Sequence, residues 1–165
     1  MSGITIFDDP LLQNLIEQAA ANPRRRMNLN LHENLDDPSQ RMLVAVQPDS
    51  YITPHRHSDK PECIVCISGQ LAVVTFQDSG QIDQVVHLTR SGVTGCEIGV
   101  TGCEIAAGTW HSLVSLSNDA VFLETKPGPY QPFQPGDFAP FAPTDTDENR
   151  GQYHSQLTEL VAKAV

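Results

Sequence analysis

No run of about 18 apolar residues occurs anywhere in the chain, so no segment has the length and hydrophobicity of a membrane-spanning helix. The N-terminus, Met1-Ser2-Gly3-Ile4, lacks the basic flank and apolar stretch of a secretory signal, and a cytoplasmic location is the default expectation. Positive charge is scarce: 10 Lys and Arg stand against 20 Asp and Glu, for a net charge of −10 over 165 residues. Such an acidic surface repels phosphate backbones and anionic lipids, so neither nucleic acid nor a membrane is an expected partner. The one basic cluster, Arg24, Arg25 and Arg26, reads as a solvated patch.

Cysteine is also sparse, with 4 residues. Cys63 and Cys66 form a C-x-x-C pair, which elsewhere suggests zinc or redox chemistry. Here they sit in the apolar run Cys63-Ile64-Val65-Cys66-Ile67, which reads as a strand. Residues three apart on a strand face opposite sides, so the two thiols should not share a metal. Cys63 and Cys66 are expected to be buried, reduced and structural.

What the chain does contain points to short strands. Its 11 Gly and 12 Pro fit a turn-rich β protein, and its length suits one domain with a real core. A helix is predicted over about 9–21, capped by Asp8 or Asp9, with Pro10 in its first turn and Leu11, Leu12, Leu15, Ile16 and Ala19 at helical spacing. A helical tail is predicted over about 145–165, with Leu157, Leu160 and Val161 as its apolar stripe. Between them, a barrel of strands and turns spans about 27–126, followed by a Pro-rich arm over about 127–143 that packs over it. Gly92–Ile98 is repeated at once as Gly99–Ile105. Seven extra residues inside a strand would reverse the facing of all that follows, so one copy should loop out and the other stay in the sheet.

The chemistry is concentrated in Pro54-His55-Arg56-His57-Ser58-Asp59-Lys60-Pro61-Glu62. His55 and His57 are two apart, so on a strand both imidazoles project from one face and can share a metal ion. Glu62 has the wrong parity for that strand, but Ser58-Asp59-Lys60-Pro61 should break it, and a restart can return the carboxylate to the interior. Two imidazoles and a carboxylate suit an open-sited metal such as Fe(II). Gly108-Thr109-Trp110-His111 makes a tight turn followed by a strand, and His111 is the fourth expected ligand.

These two stretches resemble the cupin motifs. His55, His57, Glu62 and Gly69 match G-x5-H-x-H-x3,4-E-x6-G, while Gly108 and His111 match part of G-x5-P-x-G-x2-H-x3-N. Asp49 and Val100 stand where the motifs open on glycine, Ala106 where the second has proline, and Ser115 where it has asparagine; none of these is a ligand position. A narrower resemblance, to WbuC-like cupin metalloproteins, is carried by Arg26–His32, Gln40–Leu43, Pro54–His57, Gly108–His111 and Lys126–Tyr130. It implies an all-β cupin-type double-stranded β-helix, a jelly-roll barrel, with one bound divalent metal ion (Fe, Zn, Mn or Ni) and an association with surface-polysaccharide biosynthesis. With the terminal arms, it also makes a homodimer the assembly to expect.

Around the metal, Asn28, Asn30 and His32 share one strand face, where they can hydrogen-bond locally or contact substrate. Arg41, Lys126 and Tyr130 fall in the family-like stretches and are expected to bind a polar or anionic small molecule above the metal. Arg56, between two inward histidines, should point outward. Two functions fit. One is a metal-dependent enzyme on a small sugar-like molecule, an isomerase or epimerase or an Fe(II) dioxygenase. The other is a non-catalytic, metal-supported binding or sensing module, since one barrel hosts many activities and no dedicated acid or base stands out.

Overall fold

The computed structural model describes residues 3–90 and 99–164. Helix α1 spans Asp9–Ala21; Asp8 caps it, its carboxylate accepting the Leu11 N–H at 3.1 Å. Eight strands follow: β1 (Arg26–Asn30), β2 (Ser39–Val46), β3 (Glu62–Ser68), β4 (Gln70–Phe76), β5 (Ile82–Thr89), β6 (Gly102–Ile105), β7 (Trp110–Ser115) and β8 (Val121–Pro127). Helix α2 (Arg150–Lys163) closes the chain. It starts about five residues later than expected and buries His154, Leu157 and Val161, while Leu160 is 54% exposed and lies outside the stripe. The Thr144–Asp147 turn holds the chain out of the helix until Asn149, since the Asp147 carboxylate accepts the Thr144 N–H.

The strands form two antiparallel sheets, ordered β1-β2-β8-β3-β6 and β5-β4-β7. Alternation along each strand sorts the side chains. Val44 and Val46 of β2, Ile64 and Cys66 of β3, Leu71 and Val73 of β4, and Phe122 of β8 meet between the sheets. The alternate residues Leu43, Ala45 and Val121 face outward, against Leu15 and Ala19 of α1. Likewise Ala72, Val74 and Val114 turn their backs on the barrel and pack beneath Ala139, Leu157 and Val161. Both faces of the central strands are therefore covered. The edge strand β7 is covered on both faces too, with Leu113 in one cluster and Trp110 and Val114 in the other, so it is buried from end to end although its sequence, Trp-His-Ser-Leu-Val-Ser, does not read as continuously apolar.

The β3–β4 turn depends on Gly69, at φ 68°, where a Cβ would lie 2.5 Å from Ser117 Oγ and 2.7 Å from the Ala120 backbone. Cys66 faces the core and Cys63 the other side of β3; both are free thiols, as is Cys103. Of the duplicated heptads, the second supplies β6, paired with β3 from Val65↔Gly102 to Glu62↔Ile105. Gly92–Ile98, with Cys96, lies outside the described residues.

Cys66 carries a pH prediction. Burial first, with a smaller push from Asp119 against the Arg90 backbone, raises its thiol to about 11. The native thiol stays neutral where the unfolded one ionises, so its contribution is fully present below pH 9 and is lost as the pH rises towards 11. Urea denaturation should show stability falling by up to about 1.4 kcal/mol per pH unit in that window from this group. Cys66→Ala should flatten the slope, and an unchanged slope would show that the thiol titrates normally.

Candidate metal centre

The segment carrying His55 and His57 is not the strand expected. It makes a single antiparallel bridge to β7, with the His55 N–H donating to the His111 carbonyl at 2.9 Å and the His111 N–H returning to the His55 carbonyl at 2.8 Å. Pro54 and the Pro61 turn limit the ladder to that one rung. On its other side the same segment meets the arm: the Arg56 N–H donates to the Asp137 carbonyl, and the Ala139 N–H to that of Pro54, both at 2.9 Å. Gly108, at φ 81°, ends the turn before β7, its N–H donating to the His57 carbonyl at 2.7 Å. Backbone pairing thus registers His55 and His57 against His111. Glu62 opens β3 with Ile64 and Cys66 on its inward face, so the restart does return its carboxylate to the interior.

One ring nitrogen from each of His55, His57 and His111 lies within 4.8 Å of the other two. Nδ1 of His55 donates to the Thr53 carbonyl at 2.9 Å, and Nδ1 of His111 to that of Thr109 at 2.8 Å. Each bond fixes the tautomer and leaves the Nε2 lone pair for another partner. His111 is 1% exposed, and its Nε2 lies 3.5 Å from Glu62 Oε1, too far for a good hydrogen bond, so this buried nitrogen is orphaned. A buried acceptor is costly to leave unpaired. Three imidazoles and a carboxylate form a donor set suited to a first-row divalent ion at roughly 2.1 Å from each nitrogen, and these residues fit one.

Beside the imidazoles lies a charged triad. Glu62 Oε2 is 3.0 Å from His57 Nε2 and 3.1 Å from Lys126 Nζ, and Lys126 Nζ is 2.6 Å from Glu124 Oε1 and 3.4 Å from His57 Nε2. Burial alone would raise the Glu62 carboxyl, but the close His57 imidazole and the Lys126 ammonium outweigh it and hold it well below the usual carboxylate range. Burial would lower Lys126, yet Glu124 and Glu62 more than offset this and keep it above its ordinary value. Glu124 is pushed up, by burial first and then by Glu62. His55 is drawn down to about 3, by burial and then by His111, which favours the neutral ring.

A cavity of about 510 Å³ opens over this group. Asn28, Asn30, His32, Lys126 and Tyr130 all line it, with His55 and Glu62. Arg41 does not. It shares its face with Leu43 and Ala45, which is the outer, helix-facing side of β2, and its guanidinium pairs with Asp37 at 3.5 Å. Gln40 and Met42, of opposite parity, take the inner positions. The basic cluster is also more than a solvated patch. Arg26 lines the cavity, donates to the Tyr51 carbonyl at 2.7 Å and pairs with Asp145 at 3.4 Å. It lies two residues before Asn28 on the same strand face, a spacing that could have revealed it. Glu124, two before Lys126 on β8, carried the same signal. Phe133 and Phe138 of the arm were not foreseeable from strand periodicity; Phe133 stacks on His57 with centroids 5.2 Å apart. Arg56 points away from the cavity and lies 4.1 Å over the Trp110 ring.

Two facing antiparallel sheets, with three imidazoles and a carboxylate gathered at one end, give the double-stranded β-helix of the cupin fold. Solved structures agree on the fold. A cupin 2 domain-containing protein from Halorhodospira halophila superposes with a TM-score of 0.51 at 16% identity, over 85% of this chain and 82% of its own. TT1209 from Thermus thermophilus gives 0.52 at 17%, over 75% and 97%. An uncharacterized conserved protein with a double-stranded beta-helix domain from Klebsiella pneumoniae gives 0.50 at 15%, over 77% and 90%. Residues 7–88 match a family described as a domain of unknown function, DUF6016. No curated protein matches the sequence. None of these similarities extends to the narrower WbuC-like resemblance. Among the described residues, no helix is long and apolar enough to cross a membrane.

Proposed function

We propose that the chain is a metal-binding cupin in which His55, His57, His111 and Glu62 hold one divalent ion, and that the cavity above them takes a small polar molecule. The observation that carries this reading is the buried, unpartnered Nε2 of His111 at the meeting point of three imidazoles. When bound, such an ion supplies Lewis acidity towards an oxygen of the molecule. The chain's own residues divide the remaining work. Asn28 and Asn30 offer amides at the cavity wall, and Phe133 packs against the His55 and His57 rings with Phe138 behind it. Lys126, between two carboxylates, holds its proton and can donate a hydrogen bond at Nζ.

This supports a metal-dependent enzyme acting on a sugar-like molecule, an isomerase or epimerase or an Fe(II) dioxygenase. A role in surface-polysaccharide biosynthesis is part of the same proposal and rests on the WbuC-like stretches of the sequence alone. One observation favours a second reading, a binding or sensing module: Lys126, the cation beside the imidazoles, is already engaged by both Glu62 and Glu124. Elemental analysis of the purified chain should find about one divalent ion per molecule. Iron with substrate-dependent oxygen uptake, or isomerisation of a sugar nucleotide, selects the enzyme; zinc with binding and no turnover selects the module. A chain that holds no ion, as purified or after reconstitution, sinks both.

A further inference from the structure

We infer that the cavity contains a fixed hydrogen-bond donor, the Nε2–H of His32, that receives a carboxylate oxygen of the bound molecule, so that the ligand is a small hydroxy acid rather than a neutral polyol; this rests on the reading above and deepens it. His32 follows β1, is 6% exposed and lines the cavity wall. Its Nδ1 lies 3.0 Å from the Arg41 nitrogen and 2.9 Å from the Arg41 oxygen. That oxygen already accepts the Leu31 N–H at 2.8 Å, so the bond that remains to be satisfied is the Arg41 N–H donating to Nδ1. With Nδ1 accepting, the ring hydrogen sits on Nε2, and a doubly protonated ring would carry one there as well. Either way Nε2 only donates.

That donor has no acceptor. His32 Nε2 is buried and makes no hydrogen bond among the described residues. Native proteins seldom leave a buried donor unpaired without a reason, and a ligand oxygen is one. The neighbouring polar groups lean the same way. Asn28 Nδ2 donates to Asn30 Oδ1 at 2.7 Å, leaving the Asn30 amide hydrogens for a bound molecule. The charges lining the cavity then decide between a charged and a neutral acceptor. Glu62 and Glu124 both face Lys126, while Asp145 is met by Arg26 and by Thr53 Oγ1 at 2.9 Å. With Arg24 also on the wall, three cations balance three carboxylates. A dication on the imidazoles turns this lining positive, and an anionic oxygen offsets that excess where a hydroxyl does not.

The test uses the full-length chain, labelled with ¹⁵N-histidine, with metal content measured on the same sample. Glycerate and glycerol, which differ by a carboxylate in place of a hydroxymethyl group, serve as the probes. Long-range ¹H–¹⁵N spectra should show His32 as the Nε2–H tautomer and should shift its Nε2 resonance on addition of glycerate. Calorimetry should give glycerate at least tenfold tighter binding than glycerol. His32→Phe should erase that preference with metal content unchanged, whereas His32→Gln, which can still donate, should retain most of it and guards against a folding defect in the first variant. An Nδ1–H tautomer, equal affinities for the two probes, or full preference in His32→Phe would each overturn the inference. The two readings fail separately: a silent His32 in a metal-loaded chain sinks only the subsite, and a glycerate shift in a chain that binds no ion sinks only the metal reading.

Discussion

His111→Ala should abolish metal binding while leaving the barrel folded. Loss of a mere hydrogen-bond partner of a metal-ligating histidine costs roughly 10–100-fold in affinity, and loss of the ligand itself exceeds that. The backbone bridge between residues 55 and 111 runs through main-chain N–H and C=O groups, so alanine keeps the register that presents His55 and His57. In the metal-free protein the substitution also removes an orphaned buried nitrogen, which offsets part of the packing lost against His55, whose ring centroid is 4.4 Å away. Metal-free wild type and variant should therefore melt within a few degrees of each other. The difference appears on adding metal. An ion at about 100 times its Kd stabilises the native state by about 2.7 kcal/mol, and this gain should be present in the wild type and missing from His111→Ala. A variant that still melts higher with metal would place the ion elsewhere.

The second large effect is on stability. Phe122 is 2% exposed, sits in β8 opposite Val44 of β2 and Cys66 of β3, and lies in the cluster that joins the two sheets. Truncation to alanine should cost about 4 kcal/mol, because the surrounding strands are locked by ladders on both sides and cannot collapse into the space. Against a total of about 5–15 kcal/mol for a native domain, that is a large fraction. Urea denaturation should show the midpoint falling with an unchanged m-value, and the melting temperature should drop by roughly 10 °C. A loss under about 1 kcal/mol would mean that the sheets do not meet on this side chain. Phe122 also lines the cavity, so the same variant tests whether ligand binding tolerates a softened floor.

Much of the site was legible before the fold. The H-x-H pair, the carboxylate five residues on and the histidine after a Gly turn are all local patterns, and the structure gathers the three imidazoles with Glu62 in contact. Two arginines differ from expectation, for different reasons. Arg41 was grouped by its strand face, which was right, but periodicity of two does not say which face looks inward. Here α1 covers the face carrying Leu43 and Ala45, so the guanidinium is carried outside with them. Arg26 reads as part of a solvated cluster with Arg24 and Arg25, although its alternation with Asn28 and Asn30 puts it on the cavity side.

By itself the sequence determined most elements and the donor types: where α1 starts and stops, where most strands lie, which residues could hold a metal. Those properties follow from caps, turn residues and side-chain chemistry, all of which act within a few residues. Only the tertiary structure decided which strand faces are interior, that Glu124 and Lys126 stand beside Glu62, that the arm lays Phe133 over His57, and that Nε2 of His111 and Nε2 of His32 are left without hydrogen-bond partners. Each of these depends on contacts between segments tens of residues apart, and burial, the quantity that makes an unpaired nitrogen or an inward charge significant, exists only once the sheets have closed.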